Sequence, residues 1–404
     1  MRGDMKTIER VNGVGIVLLF GSCMTILASI LVVPILVKFQ AAYASVKNVE
    51  LLVALALMAP AFVTAIASPF IGTVIDRWGS RRFLVWGTAL YAVSGVAPLW
   101  LDGITEIVVS RFIFGAAEAI VMTCCTSIIG THFKGQERER YLNLQMRFIG
   151  VGGTILFVVS GALGEMNWRL PFALYGLALL LIPFQLRLPP PPYAPRTDTL
   201  GFAATRPPKS ALLPQITVML VGMIAVYLPP VQYPFLLADL GITSTQAIGM
   251  GAAFGVLSAA AGTLLWPVLR RRFNTQSINV LVFALLAVGI WWLSRITSYA
   301  ESFVVLAVNG LGAGMLIPNV MAWTMAAAKP WHMGKATGQV YFGLYFGQFL
   351  SPLLIAPLAA SVGGLRPAMV VVAAAMALVA LIGLAIARES TLRERRDTAA
   401  SLKW

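Results

Sequence analysis

Long, uninterrupted runs of apolar residues recur along the chain from Val11 to Ala387. Each run is about the 20 residues that an α-helix needs to cross the hydrocarbon core of a bilayer. The runs are continuously hydrophobic and lack the alternation of membrane β-strands, and a helix satisfies its own backbone hydrogen bonds in lipid. The pattern therefore predicts an all-α polytopic membrane protein.

Twelve spans are predicted, separated by short polar connections. They cover residues 12–37, 49–75, 82–101, 105–131, 143–164, 169–187, 212–237, 245–269, 276–295, 301–327, 336–360 and 365–387. The first span follows Arg2, Lys6 and Arg10. Its beginning therefore resembles a signal peptide, in which an apolar segment follows a positively charged start. Its apolar segment is too long for that class and no small-residue cleavage site ends it, so we interpret it as a retained span.

Charged residues are few and unevenly placed. They make up 11% of the 404 residues, too few to cover a soluble protein, whereas hydrophobic residues make up 58%. The net charge is +14, but with the N-terminus in the cytoplasm most of the 30 Lys and Arg residues fall in cytoplasmic segments. The exceptions are Arg111 within a span and five residues in outer loops: Lys38, Lys47, Arg169, Arg295 and Arg366. This bias is typical of a bacterial inner (cytoplasmic) membrane protein with both termini cytoplasmic, and it argues against nucleic-acid binding.

The sequence contains no pattern of catalytic or metal-ligating residues. Cys23, Cys124 and Cys125 lie in predicted spans without metal-ligand spacing, and His132 and His332 have no carboxylate or cysteine cluster nearby. We find no nucleophile–base constellation, zinc motif or phosphate-cradling glycine loop. We therefore expect no enzyme activity, no cofactor and no metal site.

The chain divides into two similar halves. A proline-rich linker at residues 188–210, containing PPPPYAP, separates an N-terminal bundle (1–187) from a C-terminal bundle (211–404), each with six spans. GTVIDRWGSRRF (72–83) aligns without gaps on GTLLWPVLRRRF (262–273), and both segments connect the second and third span of their half. Such a repeat indicates a duplicated six-helix bundle, as in secondary transporters that bind substrate between the halves.

The loop GTVIDRWGSRR (72–82) resembles the signature loop G-x-x-x-D-R-x-G-R-R of the major facilitator superfamily (MFS), with Ser80 in place of the first basic residue. The resemblance implies the MFS fold, with 12 transmembrane helices in two bundles related by pseudo-two-fold symmetry. It also implies a conformational latch between the halves that stabilises the outward-facing state, formed by Gly72, Asp76, Arg77, Gly79, Arg81 and Arg82. A carboxylate there can cap a neighbouring helix and pair with arginines. In the alternative reading, the arginines only anchor the loop in the cytoplasm.

Arg111 and Glu118 are the clearest ionisable residues inside a predicted span. Intramembrane charges are unfavourable and tend to mark functional sites. Their spacing of seven residues is nearly two helical turns, so both lie on one face of span 4, about 10 Å apart along the axis. RFIFG (111–115) resembles the span-4 motif of the same family, which implies that Arg111 takes part in proton transfer. Glu118, near the middle of the span, is then our candidate for the protonation site. The alternative is a fixed pair that holds the bundle together.

Aromatic and amide side chains in the second half are candidates for lining a substrate cavity. Span 7 (YLPPVQYPF) contains three prolines that interrupt helical hydrogen bonding, as at transporter gates. The candidate substrate-binding residues are Tyr227, Gln232, Asn319, Trp323, Tyr341, Tyr345 and Gln348. Such a lining suits an amphiphilic compound. Individually, each of these residues could instead serve in helix packing.

The leading hypothesis is a monomeric secondary transporter, antiporter-like, in the lipid bilayer, which couples protons to export of a small amphiphilic drug or metabolite by alternating access. Span 5 lacks the Gly-Pro of the family's exporter motif, so the direction of transport is less firmly indicated than the fold. One alternative is an importer or exchanger of an organic anion with Arg111 as counter-ion. Another is a transporter-like membrane sensor without flux.

Overall fold

The computed structural model describes residues 13–24, 31–78, 80–133, 135–188, 212–327 and 333–401. Within these ranges the chain is helical, with short connections and no strand. The helices are α1 (Gly13–Met24), α2 (Val33–Ala42), α3 (Val49–Trp78), α4 (Ser80–Val96), α5 (Ile104–His132), α6 (Gly135–Met166), α7 (Leu170–Gln185), α8 (Leu213–Asp239), α9 (Thr245–Arg270), α10 (Thr275–Leu293), α11 (Tyr299–Ala327), α12 (Met333–Val362) and α13 (Leu365–Ser401).

Ten of the described helices, α3 to α6 and α8 to α13, are long and apolar enough to cross a membrane. The other two predicted spans correspond to shorter helices. The predicted first span corresponds to α1 and α2, and the sixth to α7, which is a 3-10 helix over Leu170–Leu181. Prolines stand at the starts of these segments, Pro34 in α2 and Pro171 in α7, where a fixed φ and a missing N–H are tolerated.

Helix contacts repeat from one half to the other. In the first half α5 packs against α3 and α4, and α4 packs against α7; in the second half α11 packs against α9 and α10, and α10 packs against α13. Adding six to the number of a first-half helix gives the number of its counterpart in the second half, so that α3 corresponds to α9. The halves meet where α6 packs against α9 and where α3 packs against α12. These two contacts are equivalent under the pseudo-two-fold symmetry, because α9 is the counterpart of α3 and α12 is the counterpart of α6. This arrangement confirms the predicted pair of bundles with pseudo-two-fold symmetry. The linker at 188–210 lies almost wholly outside the described residues, so the domain boundaries stay a prediction.

Each half has its own hydrophobic core, and the outer surface of the molecule is apolar as well. Tyr91 and Phe114 are fully buried in the first core, and Leu316 in the second. In contrast, Trp86 and Leu264 are 76% and 66% exposed. A soluble protein does not expose large apolar side chains so extensively, whereas lipid accommodates them.

Helices α6 and α9 cross closely at one end of the bundle. This is the end where α6 stops and α9 starts, and we call it the outer end because the predicted topology places it outside the cell. A Cβ atom on Gly161 would lie 2.6 Å from the carbonyl oxygen of Thr245, and one on Gly249 would lie 2.6 Å from that of Phe157. Only glycine allows the two backbones to approach this closely.

Three polar side chains join the halves at the same place, and we call Lys38, Glu165 and Thr245 the outer clasp. One carboxylate oxygen of Glu165 accepts hydrogen bonds from the backbone N–H and the hydroxyl of Thr245, both at 2.8 Å, and lies 3.4 Å from Nζ of Lys38. Thr245 is the first residue of α9, so the carboxylate lies at a helix N-terminus, where negative charge is favourable. The clasp therefore fastens the first half to the second at their outer ends.

Candidate functional site

A cavity of about 180 Å³ lies where the two halves face each other. Val33, Met58 and Phe157 form its wall on the side of the first half, and residues of α8, α9 and α11 form the remainder. The side chains that line it are mostly apolar and none is charged. Its polar side chains are Tyr227, Tyr233 and Asn309. We call this space the central cavity.

Three prolines of α8 shape one wall of the central cavity. Pro229, Pro230 and Pro234 lie inside a helix that continues from Leu213 to Asp239. Because proline has no N–H, Pro230 and Pro234 remove the usual helical donors to the carbonyl oxygens of Val226 and Pro230. Both of those residues line the cavity, so the wall contains backbone carbonyls without their normal helical partners.

Glu118 lies on α5 where the first half faces α12 of the second. Its side chain is 5% exposed, and its Oε2 atom has no hydrogen-bond partner among the described residues. One turn further along α5, the sulfur of Met122 accepts a hydrogen bond from the hydroxyl of Tyr345 at 2.8 Å. Glu118 is within electrostatic range of the Tyr345 hydroxyl and, in its own half, of those of Tyr91 and Tyr175. A buried carboxylate therefore lies at a boundary that rocking of the halves would change.

Arg111, in contrast, is enclosed within the first half. Its Nη2 group donates hydrogen bonds to the carbonyl oxygens of Ser94 at 2.7 Å and Gly95 at 3.0 Å, both on α4. The guanidinium carbon lies 4.6 Å from the ring centroid of Phe114 and 5.3 Å from those of Phe172 and Tyr175. The side chain is only 1% exposed, and no ion pair within 4 Å joins it to Glu118. The described geometry therefore gives no support to a fixed Arg111–Glu118 pair.

Gly95 makes this arrangement of Arg111 possible. A Cβ atom on Gly95 would lie 2.5 Å from Cβ of Tyr175 and 3.0 Å from the Phe114 ring. The missing side chain lets both rings approach the α4 backbone, whose carbonyls accept from the arginine. Cation–π contacts and the two hydrogen bonds of Nη2 offset part of the cost of the buried charge, whereas Nε and Nη1 have no hydrogen-bond partner among the described residues.

A second cavity, of about 430 Å³, lies at the outer end between α2, α3, α8 and α12. Its polar side chains are Gln40, Glu50 and Gln232. Val231 lines this outer cavity and also the central cavity, so one side chain of α8 stands between the two.

A family model described as "Major Facilitator Superfamily" matches residues 18–352 and matches again over residues 216–403. The chain belongs to the Major Facilitator Superfamily. The superfamily is one of membrane transporters, which accords with the expectation that the chain is not an enzyme.

Several superfamily relatives resemble the chain. "Multidrug resistance protein MdtH" of Aeromonas salmonicida is 23% identical over 288 residues, which cover 68% of this chain and 70% of that protein. "Probable anion transporter 4, chloroplastic" of Arabidopsis thaliana is 24% identical over 110 residues, 26% of this chain, and the match spans only 21% of the plant protein. The crystal structure of a D-xylose-proton symporter superposes with a TM-score of 0.77 at 13% identity, covering 92% of this chain and 97% of that one. At that identity the likeness shows the fold alone.

The latch that the superfamily resemblance implies is only partly described. For Gly72, Asp76 and Arg77 only the helical backbone of α3 is described, and Gly79 lies outside the described residues. Arg81 donates a hydrogen bond to the carbonyl oxygen of Leu186 after α7, and Arg82 is exposed. Arg81 thus ties α4 to the end of α7 within the first half, and the latch between the halves stays a prediction.

The predicted cavity residues fall into separate places. Tyr227 lines the central cavity and Gln232 the outer cavity. Tyr345 contacts α5 beside Glu118, on the same helix as half-buried Tyr341 and buried Gln348. Trp323 is half-buried on α11 and is not among the residues lining either cavity.

Asn319 lies in a hydrogen-bond network inside the second half. Its amide nitrogen donates to Oδ1 of Asn279 at 2.8 Å and to the carbonyl oxygen of Thr275 at 3.0 Å, and its Oδ1 accepts from the Trp266 indole at 3.2 Å. It is fully buried, which places it in helix packing and away from the cavity. Trp266 stands where the repeat alignment has Asp76, so the second copy of the loop segment stabilises its own bundle.

Sequence reasoning missed Asn309, the amide that does line the central cavity. It lies near the middle of α11 within the apolar run AVNGLGAG, and a polar side chain at membrane depth is a signal that could have identified it. The aromatic surroundings of Arg111 were also missed. In the sequence, Phe114, Phe172 and Tyr175 look like ordinary members of apolar runs, and only the packing brings them together around Arg111.

Proposed function

We propose that this protein is a proton-coupled secondary transporter that exports a small amphiphilic compound by alternating access. We place it in a bacterial inner membrane with both termini cytoplasmic, acting as a monomer. The observation that carries the proposal is Glu118, a buried carboxylate with an unpaired oxygen where the halves face each other. An unpaired polar group in such a place is unfavourable unless it serves a function.

Glu118 supplies the proton-binding step of this mechanism. A dry site favours the neutral acid, whereas water or a new hydrogen-bond donor favours the carboxylate. Rocking of α12 against α5 separates Tyr345 from Met122 and changes what surrounds Glu118. The residue then takes up a proton in one state and releases it in the other. One charge moved across 100 mV is worth about 2.3 kcal/mol, which supports a gradient of roughly fiftyfold.

The central cavity supports an amphiphilic substrate. Its walls are apolar apart from two tyrosines and one asparagine, and it lies between the halves, where alternating access requires a site. Similarity to a multidrug resistance protein over 68% of the chain favours export among the possible directions.

The test is transport by purified protein in proteoliposomes. A thermal-shift screen at two pH values selects compounds that bind, and radiolabelled samples of those compounds are then offered under an imposed pH gradient. Glu118→Gln is expected to lower gradient-driven accumulation at least tenfold while downhill exchange of labelled for unlabelled compound continues. Glu106→Gln is the matched control, because Glu106 is an exposed carboxylate on the same helix.

Gradient-driven accumulation at the wild-type level in folded Glu118→Gln protein would remove Glu118 from the coupling step. Equal losses in the Glu118 and Glu106 variants would show a general effect of carboxylate removal on α5, and would count equally against the proposal.

Exchange or import of an organic anion is the second candidate, favoured by similarity over part of the chain to a probable anion transporter. It requires Arg111 to meet the substrate, whereas two carbonyl oxygens and three aromatic rings already surround that side chain. Saturable uptake of benzoate, lost in Arg111→Gln without a change in stability, would favour this function over export of an amphiphile.

A further inference from the structure

The short connection between α9 and α10 carries a cluster of positive charge. Arg270 is the last residue of α9, Arg271 and Arg272 follow it, and α10 begins at Thr275. All three arginine side chains are exposed. Because both helices are long and apolar enough to cross a membrane, so short a connection must lie at the surface of the bilayer. We call Arg270, Arg271 and Arg272 the arginine turn.

The charge of the arginine turn is not neutralised by acidic neighbours in the described part of the chain. The sequence contains no Asp or Glu between Asp239 and Glu301. None of the ion pairs within 4 Å that join described residues includes an arginine of the turn. The turn therefore presents its positive charge to whatever lies at the membrane surface.

Hydrogen bonds fix the shape of the arginine turn. The backbone N–H groups of Arg272 and Phe273 both donate to the carbonyl oxygen of Leu269, at 3.0 Å and 2.9 Å. Nη1 of Arg270 donates to the carbonyl oxygen of Phe273 at 3.2 Å. The turn is ordered by these bonds, so its charges are held close together in a fixed arrangement.

An apolar surface leads along α9 to the arginine turn. Leu264 and Val268 are 66% and 57% exposed, and they lie one helical turn apart on that helix. Arg271 follows Val268 by three residues and keeps helical backbone angles, so the three positions share one face. Phe273, in the same connection, is 51% exposed. An apolar stripe that ends in exposed positive charge matches the chemistry of a phospholipid, whose acyl chains adjoin a phosphate.

We propose that the arginine turn and the adjoining face of α9 form a binding site for an anionic phospholipid such as phosphatidylglycerol. Its phosphate accepts hydrogen bonds from Arg271 and Arg272, and an acyl chain lies along Leu264 and Val268. The planar guanidinium can donate two parallel hydrogen bonds to one phosphate, and basic clusters next to spanning helices attract anionic lipids. In the predicted topology this lipid belongs to the cytoplasmic leaflet. The site goes beyond the proposed transport function and does not depend on it.

The test counts lipids bound to the full chain by native mass spectrometry. The protein in detergent is titrated with phosphatidylglycerol and, separately, with zwitterionic phosphatidylcholine that has the same acyl chains. The variant replaces all three arginines of the turn by glutamine. The matched control removes the same charge from exposed positions that are scattered over the inner end, on α4, after α7 and on α13: Arg82→Gln, Arg187→Gln and Arg388→Gln.

The dissociation constant of the first bound phosphatidylglycerol is expected to rise at least tenfold in the variant of the arginine turn. Each basic residue near an anionic headgroup contributes about fivefold to affinity. The scattered control should bind phosphatidylglycerol as the wild type does, and phosphatidylcholine should bind equally to all three proteins. A double variant, Arg271→Gln with Arg272→Gln, keeps the bond of Arg270 to Phe273. It should also lose affinity, with an unchanged thermal unfolding temperature.

Equal losses in the clustered and scattered variants would show a response to net charge alone and would overturn the site. Equal affinity of the wild type for the two lipids would do the same. Displacement of phosphatidylglycerol by an equal concentration of glycerol 3-phosphate would identify a site for free phosphate and would also contradict the proposal. Since these measurements involve no substrate and no flux, their failure would leave the transport proposal standing, and loss of coupling in Glu118→Gln has no bearing on them.

Discussion

The outer clasp offers a direct test of how the halves are held together. Glu165 and Lys38 both belong to the first half, whereas Thr245 belongs to the second. When the outer ends separate, the contacts of Glu165 with Thr245 must break, but the ion pair of Glu165 with Lys38 moves as a unit. Glu165→Ala should therefore shift the equilibrium towards the outer-open state, and Lys38→Ala should shift it little.

The size of the shift follows from the contacts that break. Glu165 accepts a hydrogen bond from the backbone N–H of Thr245 at 2.8 Å, and its charge lies at the N-terminus of α9. It also lies 2.8 Å from the Thr245 hydroxyl, whose single proton it shares with the carbonyl oxygen of Gly161 at 2.7 Å. Hydrogen bonds to a charged group are each worth about 1.5–3 kcal/mol, and a charge at a helix N-terminus adds about 0.3–1 kcal/mol. The Glu165 side chain is 45% exposed, so water replaces part of these interactions. We expect a net ~2 kcal/mol, which is roughly a thirtyfold change in the ratio of open to closed molecules.

Distances between spin labels at the outer end measure that ratio. Ala44 and Ala300 are exposed outer-end positions in opposite halves, and the three native cysteines are buried, so labelled cysteines at these two sites report separation with little background. Glu165→Ala should increase the long-distance population in pulsed electron paramagnetic resonance.

Two outcomes would refute the reasoning about the outer clasp. If Lys38→Ala shifts the populations as much as Glu165→Ala, the ion pair and not the helix N-terminus holds the ends together. If neither variant shifts them, the glycine contacts between α6 and α9 are sufficient and the clasp contributes nothing measurable.

Two further predictions concern packing. Gly249→Ala places a methyl group 2.6 Å from the carbonyl oxygen of Phe157 and should enlarge the same long-distance population. Gly150→Ala is the control and should not enlarge it, because the nearest atom to the added methyl group is 3.6 Å away. Equal shifts in the two variants would contradict the close-contact argument. Arg111→Gln removes charge-assisted hydrogen bonds to Ser94 and Gly95, so it should destabilise the protein by ~2 kcal/mol and lower the thermal unfolding temperature by several degrees. Exposed Arg295→Gln is the control, and unchanged stability of the Arg111 variant would leave a substrate or proton role as the better explanation.

The sequence predicts the architecture because its signals are long and repeated. An apolar run of spanning length is unambiguous in lipid, and the aligned segments beginning at Gly72 and Gly262 predict the two halves. The helices depart from the predicted regular spans at segments that contain prolines, and the effect of a proline depends on its local surroundings. Pro171 begins a segment that forms a 3-10 helix, while the three prolines of α8 leave that helix continuous.

The candidate site is less predictable because it depends on which neighbour each side chain meets. Arg111 and Glu118 share a helix face by spacing, yet Arg111 reaches into its own bundle towards α4 while Glu118 lies at the boundary with α12. Likewise, Asn319 is engaged by residues 40 and 53 positions away in sequence, whereas the amide nitrogen of Asn309 has no partner in the described part of the chain. No local pattern distinguishes two asparagines on one helix when their partners come from elsewhere in the fold.

The separation of Glu118 from the central cavity determines what form the proposed coupling would take. Glu118 is not among the residues that line the cavity, so a proton on Glu118 and a ligand in the cavity would not compete for one side chain. Two ligands at different sites influence each other only if both bind one conformation better than another. In the proposed mechanism the connection would run through Tyr345, which lies within electrostatic range of Glu118 and of cavity-lining Tyr227 and contacts α5 from α12. Because that contact joins the two halves, proton and substrate are both expected to act on the same rocking equilibrium. Coupling should then weaken whenever the balance between outer-open and outer-closed states is displaced, even by a change as distant as Glu165→Ala.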